Sequence, residues 1–445
     1  MKVSVIGGAG YVGLITGLGI ATMGHEVVAT DIDEERISLL NTGKSPIFEE
    51  YLDSLLKHCI QQKGISFSKD VPTAIKNSDL VIVSVGTPST TSGQIDLSQV
   101  KSVLKDLSEN LTPYTLIVIK STLPITAVNM LKIELSKVFQ EGKDFEVASN
   151  PEFLREGRAI YDFYNPDRIV IGSGSEKAID ILKNFYEPLV KRNLSIPNEV
   201  EVEVEEKTIP FVVTNLPSAQ MIKYGSNAFL ANKISFVNEI AQVCESVGAD
   251  VKEVINGMGM DPRIGSNYMQ PGPGFGGPCL EKDLSALVEL GRHFNLEATF
   301  MKSILDRNER QIDLIKNKLD EALGGDSKKV SIFGLSFKAG TNDTRNSASI
   351  KLIEKLLEDN FYINCYDPVA DVGITDERVI QFEDPYDCVK STGCLAIMTE
   401  WPEFKDLDWA RISELMGAKI ILDMRNLLDS ETAKSKGFNY MGLGS

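Results

Sequence analysis

The sequence predicts an α/β protein in which two doubly wound, Rossmann-like domains are joined by a helical central domain with a long linking helix. Three observations carry this reading. An apolar β-branched run at 2–6 enters a glycine cluster at 7–13, and a run of the same kind restarts at 329–334. Between them a long helical pattern covers about 218–247. At roughly 150 residues per domain a chain of 445 residues makes about three, and the bounds read here are 1–214, 215–323 and 324–445.

Residues 2–6 (KVSVI), the glycine cluster, a helix from Gly13 to about Met23 and a strand at 26–31 (EVVATD) form a βαβ unit. Buried-type strands follow at 79–85, 115–119 and 145–149, and the alternation with helices implies a parallel sheet. Segments 168–172 (RIVIG) and 209–214 (IPFVVT) continue as strands at the far edge. The alternating Glu and Val of 198–207 (NEVEVEVEEK) read as an exposed strand or a solvated acidic hairpin, a surface excursion rather than a site. From Ser218 to Val247 apolar residues such as Met221, Tyr224 and Ala228 recur at helical spacing. Such a helix is about 45 Å long, enough to link two domains. A glycine-rich loop at 272–277 precedes another helix from about 280. After a break at 324–327 come strands at 329–334, 362–367, 394–398 and 419–424, with a helix at about 347–359. This second half lacks a full G-x-G-x-x-G, so it need not bind a dinucleotide.

Composition narrows the function. Lys and Arg number 46 and Asp and Glu 63, so the net charge is 46 − 63 = −17. That field repels a phosphate-rich duplex and argues against nucleic acid as a partner. A negatively charged small substrate then needs a local basic pocket. No apolar run approaches the roughly 20 residues that span a bilayer, and the N-terminus does not read as a secretory signal. No membrane partner is expected, and the expected location is the cytoplasm. The six cysteines form no C-x-x-C pair and the three histidines are scattered, so no metal site and no Ser-His-Asp triad is expected.

Gly8, Gly10 and Gly13 form a G-x-G-x-x-G between a strand and a helix. The first permits the tight turn, the second lets the backbone approach a pyrophosphate, and the third lets helix and strand pack closely. The helix N-terminus offers N–H groups and a positive dipole end to the phosphates. Asp31 ends the next strand, 21 residues after Gly10. A carboxylate there accepts from a ribose 2′-OH and repels a 2′-phosphate, so the cofactor predicted is NAD.

Cys279 follows a glycine-rich approach and precedes a helix start, where the dipole favours a thiolate. The alternative, a buried structural thiol, fits the other five cysteines. Lys223 and Asn227 lie four apart on the long helix and share a face, polar where apolar groups are expected. Glu152 and Glu156 have the same spacing after Asn150-Pro151, and read either as functional acids or as an acidic first turn of a helix. Lys120, Ser121 and Thr122 sit at the C-terminal end of a strand, where open sheets place ligands.

These motifs together resemble the UDP-glucose/GDP-mannose dehydrogenase family, and within it the UDP-glucose 6-dehydrogenases. The resemblance covers nearly the whole chain, in order: GAGYVGL (8–14), VGTP (85–88), KSTLP (120–124), NPEFLREG (150–157), NPDRIVIG (165–172), K-x-x-x-N (223–227) with NEI (238–240), DPRIG (261–265), GFGGPCLEKD (274–283), GLSFKAGTNDTR (334–345) and DMRN (423–426). It implies an NAD-linked oxidation of the sugar-nucleotide C6 to a carboxylate, removing four electrons as two hydrides. It implies Cys279 as nucleophile, Lys223 and Asn227 as oxyanion partners, and Asp283, Thr122 and Glu152 as groups that move protons and position water. By the same likeness NAD contacts include Gly8, Gly10, Tyr11, Val12, Gly13, Asp31, Thr87, Thr122, Glu156 and Arg345. The UDP-sugar contacts include Glu152, Phe153, Leu154, Lys223, Asn227, Tyr268, Phe275, Gly276, Phe337, Lys338 and Arg425. Arg263 matches an arginine that reaches a neighbouring subunit's site, which implies a homodimer or higher oligomer. The three segments then become an NAD-binding, a central dimerisation and a UDP-sugar-binding domain.

Three departures stand out. Glu281 replaces the usual Pro or Gln and raises the Cys279 thiol pKa if it faces the sulfur, Pro278 replaces a frequent Ser or Tyr, and 198–207 is an insertion. Related enzymes acting on a UDP-N-acetylhexosamine or on GDP-mannose are the alternative. A two-electron 3-hydroxyacid dehydrogenase needs neither Cys279 nor the third segment, and a non-catalytic dinucleotide binder has no use for the polar set around Cys279.

Overall fold

The computed structural model describes residues 1–88, 95–112, 114–325 and 327–444; Asp326, in the break read at 324–327, lies outside them. The chain divides into two compact units, Met1–Gly225 and Ser226–Ser445.

The first unit is built on β1 (Lys2–Ile6), β2 (Glu26–Thr30), β3 (Ile65–Ser68), β4 (Leu80–Val83), β5 (Thr115–Ile119), β6 (Phe145–Ser149), β7 (Ile169–Gly172) and β8 (Phe211–Thr214). They form one sheet in the order β3-β2-β1-β4-β5-β6-β7-β8, parallel except where β7 meets β6. The inner strands are mostly apolar because both faces are covered. Val3, Val5, Ile82 and Val118 pack with the helix Tyr11–Thr22 in one cluster. The alternate residues Ile6, Val81, Val83 and Ile117 pack with the helices Ser98–Asn110 and Ile125–Leu135 in another. Each such side chain, fully buried, contributes about 1.5–3 kcal/mol.

The segment 198–207 is neither strand nor hairpin. It runs as an irregular strap whose valines face inward: Val200 is buried, and Val202 and Val204 pack against the same core. Asn165 fastens it, donating to the Glu203 carbonyl at 2.7 Å and accepting from the Glu205 N–H at 2.7 Å. Alternation here comes from a chain lying on the core without a ladder partner.

The second unit holds β9 (Lys329–Phe333), β10 (Tyr362–Tyr366), β11 (Val379–Gln381), β12 (Cys394–Ile397), β13 (Ile420–Asp423) and β14 (Asn439–Met441). Their order, β11-β10-β9-β12-β13-β14, repeats the arrangement of the first six strands, and all pairs are parallel. The long helix, Leu216–Val247, contains the boundary between the units. Met221, Phe229, Phe236, Val243 and Val247 on it are exposed, at spacings that keep them on one face. Among the described residues no helix is long and apolar enough to cross a membrane.

Candidate active site

In the first unit the glycine cluster sits at the switch point between β1 and β4, the position where open parallel sheets bind ligands. The tight turn belongs to Gly7, not to Gly8 as the motif suggested. Gly7 has φ +82°, and a Cβ there would lie 2.6 Å from the Ser84 carbonyl oxygen. At Gly8 a Cβ would meet the Ala29 Cβ at 2.7 Å, and at Gly13 the Gly7 carbonyl oxygen at 2.1 Å, so both are demanded by packing. Gly10 differs: its nearest neighbour would be 3.4 Å away. The fold does not need a glycine there, which leaves the open side for a ligand's close approach. The Asp31 carboxylate accepts from the Ala9 N–H at 3.1 Å and from the Asp33 N–H at 3.2 Å, fixing it beside the loop. This cradle fits a dinucleotide: Gly10, Tyr11 and Val12 at a helix N-terminus for the pyrophosphate, Asp31 for a ribose hydroxyl. Thr87 is buried after β4, and Thr122 is half-buried in the loop after β5.

Tyr11 is held by a residue the sequence reading did not single out. Its hydroxyl donates to Glu49, a buried carboxylate that also accepts from the N–H groups of Gly157 at 2.7 Å and Ala159 at 2.6 Å. Burial raises the Glu49 carboxyl despite these donors, and burial first, then the Glu49 charge, drives the Tyr11 phenol up. Glu156 lies in the loop so tied. That loop is irregular: the next helix is Ala159–Tyr164, so Glu152 and Glu156 are not an acidic first turn.

Glu152 and Lys223 form a buried ion pair at 3.0 Å, their side chains only 9% and 7% exposed. Burial alone would raise the Glu152 carboxyl. The Lys223 charge and hydrogen bond, the Leu154 N–H and the Lys120 charge outweigh it and hold the group below the usual range. Phe153 carries Arg168 on its ring face at 3.6 Å, with the Lys223 ammonium 5.5 Å from the same centroid.

In the second unit Cys279 is the only exposed cysteine of the six. Burial pushes the Cys59, Cys365 and Cys394 thiols up to about 12. Cys279 caps the helix Leu280–His293, and the Asp283 N–H donates to its carbonyl at 3.0 Å. Asp283 is buried; its carboxylate accepts from Asn227 at 2.6 Å and pairs with Lys282 at 2.5 Å. Glu281 pairs with Lys351 at 3.4 Å.

The loop into Cys279 is held by three carboxamides, of which only Asn238 stands in a quoted motif, NEI (238–240). Asn308 brackets Phe275, accepting from its N–H at 2.8 Å and donating to its carbonyl at 2.9 Å. Asn238 accepts from the Gly272 N–H and Gln311 donates to the Gly272 carbonyl. Gly276 and Gly277 are required by the neighbouring segment. A Cβ would lie 2.6 Å from the Asn346 carbonyl oxygen in the first case and 2.8 Å from the Phe337 ring in the second. Arg425 adjoins them, donating to the Phe337 carbonyl at 3.2 Å and the Met398 carbonyl at 2.9 Å. Lys338 lies 5.6 Å from the Phe337 centroid. Arg345 is exposed and pairs with Asp343, and its carbonyl accepts from the Gly277 N–H at 3.0 Å; Arg263 is exposed and pairs with Asp261, and Tyr268 is exposed at φ +63°.

The acid equivalent to Asp31 in this unit, Asp367, is fully engaged. It accepts from the N–H groups of Leu335, Ser336, Val369 and Ala370 and from the Trp401 indole. No lone pair is left for a ribose, which agrees with the missing glycine fingerprint.

Comparison with known proteins gives three matches along the chain. The UDP-glucose/GDP-mannose dehydrogenase family is matched by its NAD binding domain over residues 1–190, its central domain over 217–310 and its UDP binding domain over 331–430. A UDP-glucose 6-dehydrogenase of Rickettsia conorii is 38% identical over 451 aligned positions, covering all of both chains. The solved UDP-glucose dehydrogenase of Pyrobaculum islandicum has TM-score 0.85 and 32% identity, over 96% of this chain and 95% of that one. The UDP-D-ManNAc dehydrogenase of Pyrococcus horikoshii has TM-score 0.86 and 29% identity, over 100% and 99%. With NAD as its cofactor, this chain belongs to the UDP-glucose/GDP-mannose dehydrogenase family of oxidoreductases.

Proposed function

We propose that the protein oxidises UDP-glucose to UDP-glucuronate through a covalent adduct on Cys279. The observation that supports this best is the one exposed thiol, at a helix N-terminus, with the Asn227–Asp283–Lys282 set one turn along. NAD supplies the hydride acceptor, one molecule for each of the two oxidation steps. In the first, C6 loses a hydride and its hydroxyl a proton, leaving an aldehyde. The Cys279 sulfur then bonds to the aldehyde carbon, giving a thiohemiacetal. Loss of a second hydride and the hydroxyl proton gives a thioester. Water adds, the C–S bond breaks, the thiol is restored and a carboxylate leaves.

Lys223 and Asn227 are assigned the developing oxyanion, where a fixed ammonium and amide stabilise charge without reorganising. Glu152, Asp283 and Thr122 are assigned the protons and the attacking water. Asp31, Gly8, Gly10, Tyr11, Val12, Gly13, Thr87, Glu156 and Arg345 are assigned to NAD. The nucleotide sugar is assigned Phe153, Leu154, Tyr268, Phe275, Gly276, Phe337, Lys338 and Arg425. In this reading 1–214 binds NAD, 215–323 carries dimer contacts and 324–445 binds the UDP part. Arg263 serves a second copy of the chain, and the exposed apolar face of the long helix is the surface that copy covers. The expected location is the cytoplasm.

A UDP-N-acetylhexosamine is the second reading, favoured by the likeness to the Pyrococcus horikoshii enzyme. A panel of nucleotide sugars read by NADH absorbance separates the two. In Cys279→Ser, uronate formation stops while dinucleotide and nucleotide sugar still bind; undiminished turnover contradicts the nucleophile.

A further inference from the structure

Lys120 is a lysine that the reaction as assigned does not use. It is 6% exposed, at the C-terminal end of β5. A lone buried ammonium is costly, so its partners are informative. Its Nζ donates to Asn150 Oδ1 at 3.1 Å and to the Asn150 carbonyl at 3.4 Å, and both acceptors are uncharged. Asn150 is itself fixed on every side. Its Oδ1 accepts from the Tyr186 hydroxyl at 2.5 Å, its Nδ2 donates to the Val170 carbonyl at 2.8 Å, and its N–H donates to the Ile119 carbonyl at 2.9 Å. Pro151 and then Glu152 follow directly. Lys120 and Lys223 are thus two ammonium groups that both act on the Glu152 carboxylate, with the neutral Tyr186 phenol bonded to Asn150 beside them.

We propose that Lys120 is a positioning residue for the oxidation: it pins the Asn150–Pro151–Glu152 turn and supplies a second positive charge to the Glu152 carboxylate. The two lysines then divide the work. Lys223 makes the direct ion pair, and Lys120 acts through the Asn150 backbone and through space. Burial, countered by Glu152 and reinforced by Lys223, lowers the Lys120 ammonium to about 8. The proposal rests on Glu152 moving a proton in the reaction, and its test separates the two.

The Glu152 carboxyl is titrated by infrared difference spectroscopy, its band assigned by loss in Glu152→Gln, beside the pH dependence of kcat/KM and thermal unfolding. In Lys120→Met the carboxyl titrates about one unit higher than in the wild type, and Lys120→Arg restores it. Lys120→Gln carries the same test should the Met variant not fold. Tyr186→Phe removes a hydrogen bond to Asn150 without changing charge; it lowers the melting temperature and leaves the titration in place. A Glu152 titration unmoved in Lys120→Met, or moved equally in Tyr186→Phe, overturns the proposal. If the titration moves but the acid limb of kcat/KM does not follow it, the proton role of Glu152 falls and Lys120's effect on the carboxylate stands.

Discussion

Gly10 and Gly13 look alike in the motif and are set apart by the space around them. A methyl on Gly13 would lie 2.1 Å from the Gly7 carbonyl oxygen, so Gly13→Ala unfolds or strongly destabilises the first unit. A methyl on Gly10 has 3.4 Å of room. Gly10→Ala therefore keeps its melting temperature and loses NAD affinity by about tenfold, or 1.4 kcal/mol. Thermal unfolding and a dinucleotide titration distinguish these outcomes, and equal destabilisation in both variants contradicts the assignment. The Glu152–Lys223 pair gives a second residue-level prediction. Glu152→Ala leaves a buried ammonium without its carboxylate and costs about 3–5 kcal/mol. Lys120 gives a third, with a definite sign. Its folded-state value near 8 lies below the ordinary 10.5, so between those pH values the unfolded chain holds the extra proton. Stability therefore rises with pH across that window, by on the order of 3 kcal/mol, and falls as pH drops back through 8. The buried thiols give a slope of the opposite sign above about pH 9, so the Lys120 contribution is read as a difference: in denaturant unfolding from pH 8 to 10.5 the stability of the wild type rises relative to that of Lys120→Met.

Among elements, the long helix carries an exposed apolar face. Phe229, Phe236, Val243 and Val247 are exposed along one face. An apolar stripe of that kind favours association. Phe236→Asp is expected to convert a dimer to a monomer in sedimentation, and a wild-type monomer at working concentration contradicts the dimer reading. The elements also show why some structure was legible and some was not. The inner strands β4, β5 and β12 announce themselves as nearly continuous apolar runs because both their faces are buried, and β1 and β9 do so around a single small serine, Ser4 and Ser331. The strands absent from the sequence reading are β3, β11 and β14, of four, three and three residues. All three lie at sheet edges, where one side has no ladder partner and polar residues interrupt the pattern.

Across the whole chain, two sheets of the same strand order have taken different tasks, and the acids after β2 and β10 show how. Asp31 faces the glycine cradle with capacity to spare, whereas Asp367 is used up by its own backbone and by Trp401. That difference was half legible. The missing glycine fingerprint was visible in the sequence, but the capture of Asp367 by a tryptophan 34 residues away was not. The residues assigned to the reaction divide in the same way. Cys279, Lys223, Asn227, Glu152 and Asp283 stand in short motifs. Glu49, Asn308 and Gln311 reach their partners only through the fold, across 33 to 110 residues, and leave no local signal; Asn238 stands in NEI (238–240), but its bond to Gly272 does not show there. Counting NADH formed against nucleotide sugar consumed tests the central claim most directly. Two NADH per UDP-glucose, with UDP-glucuronate as product, is the result predicted; one NADH per sugar, with the aldehyde released, would contradict a covalent four-electron oxidation.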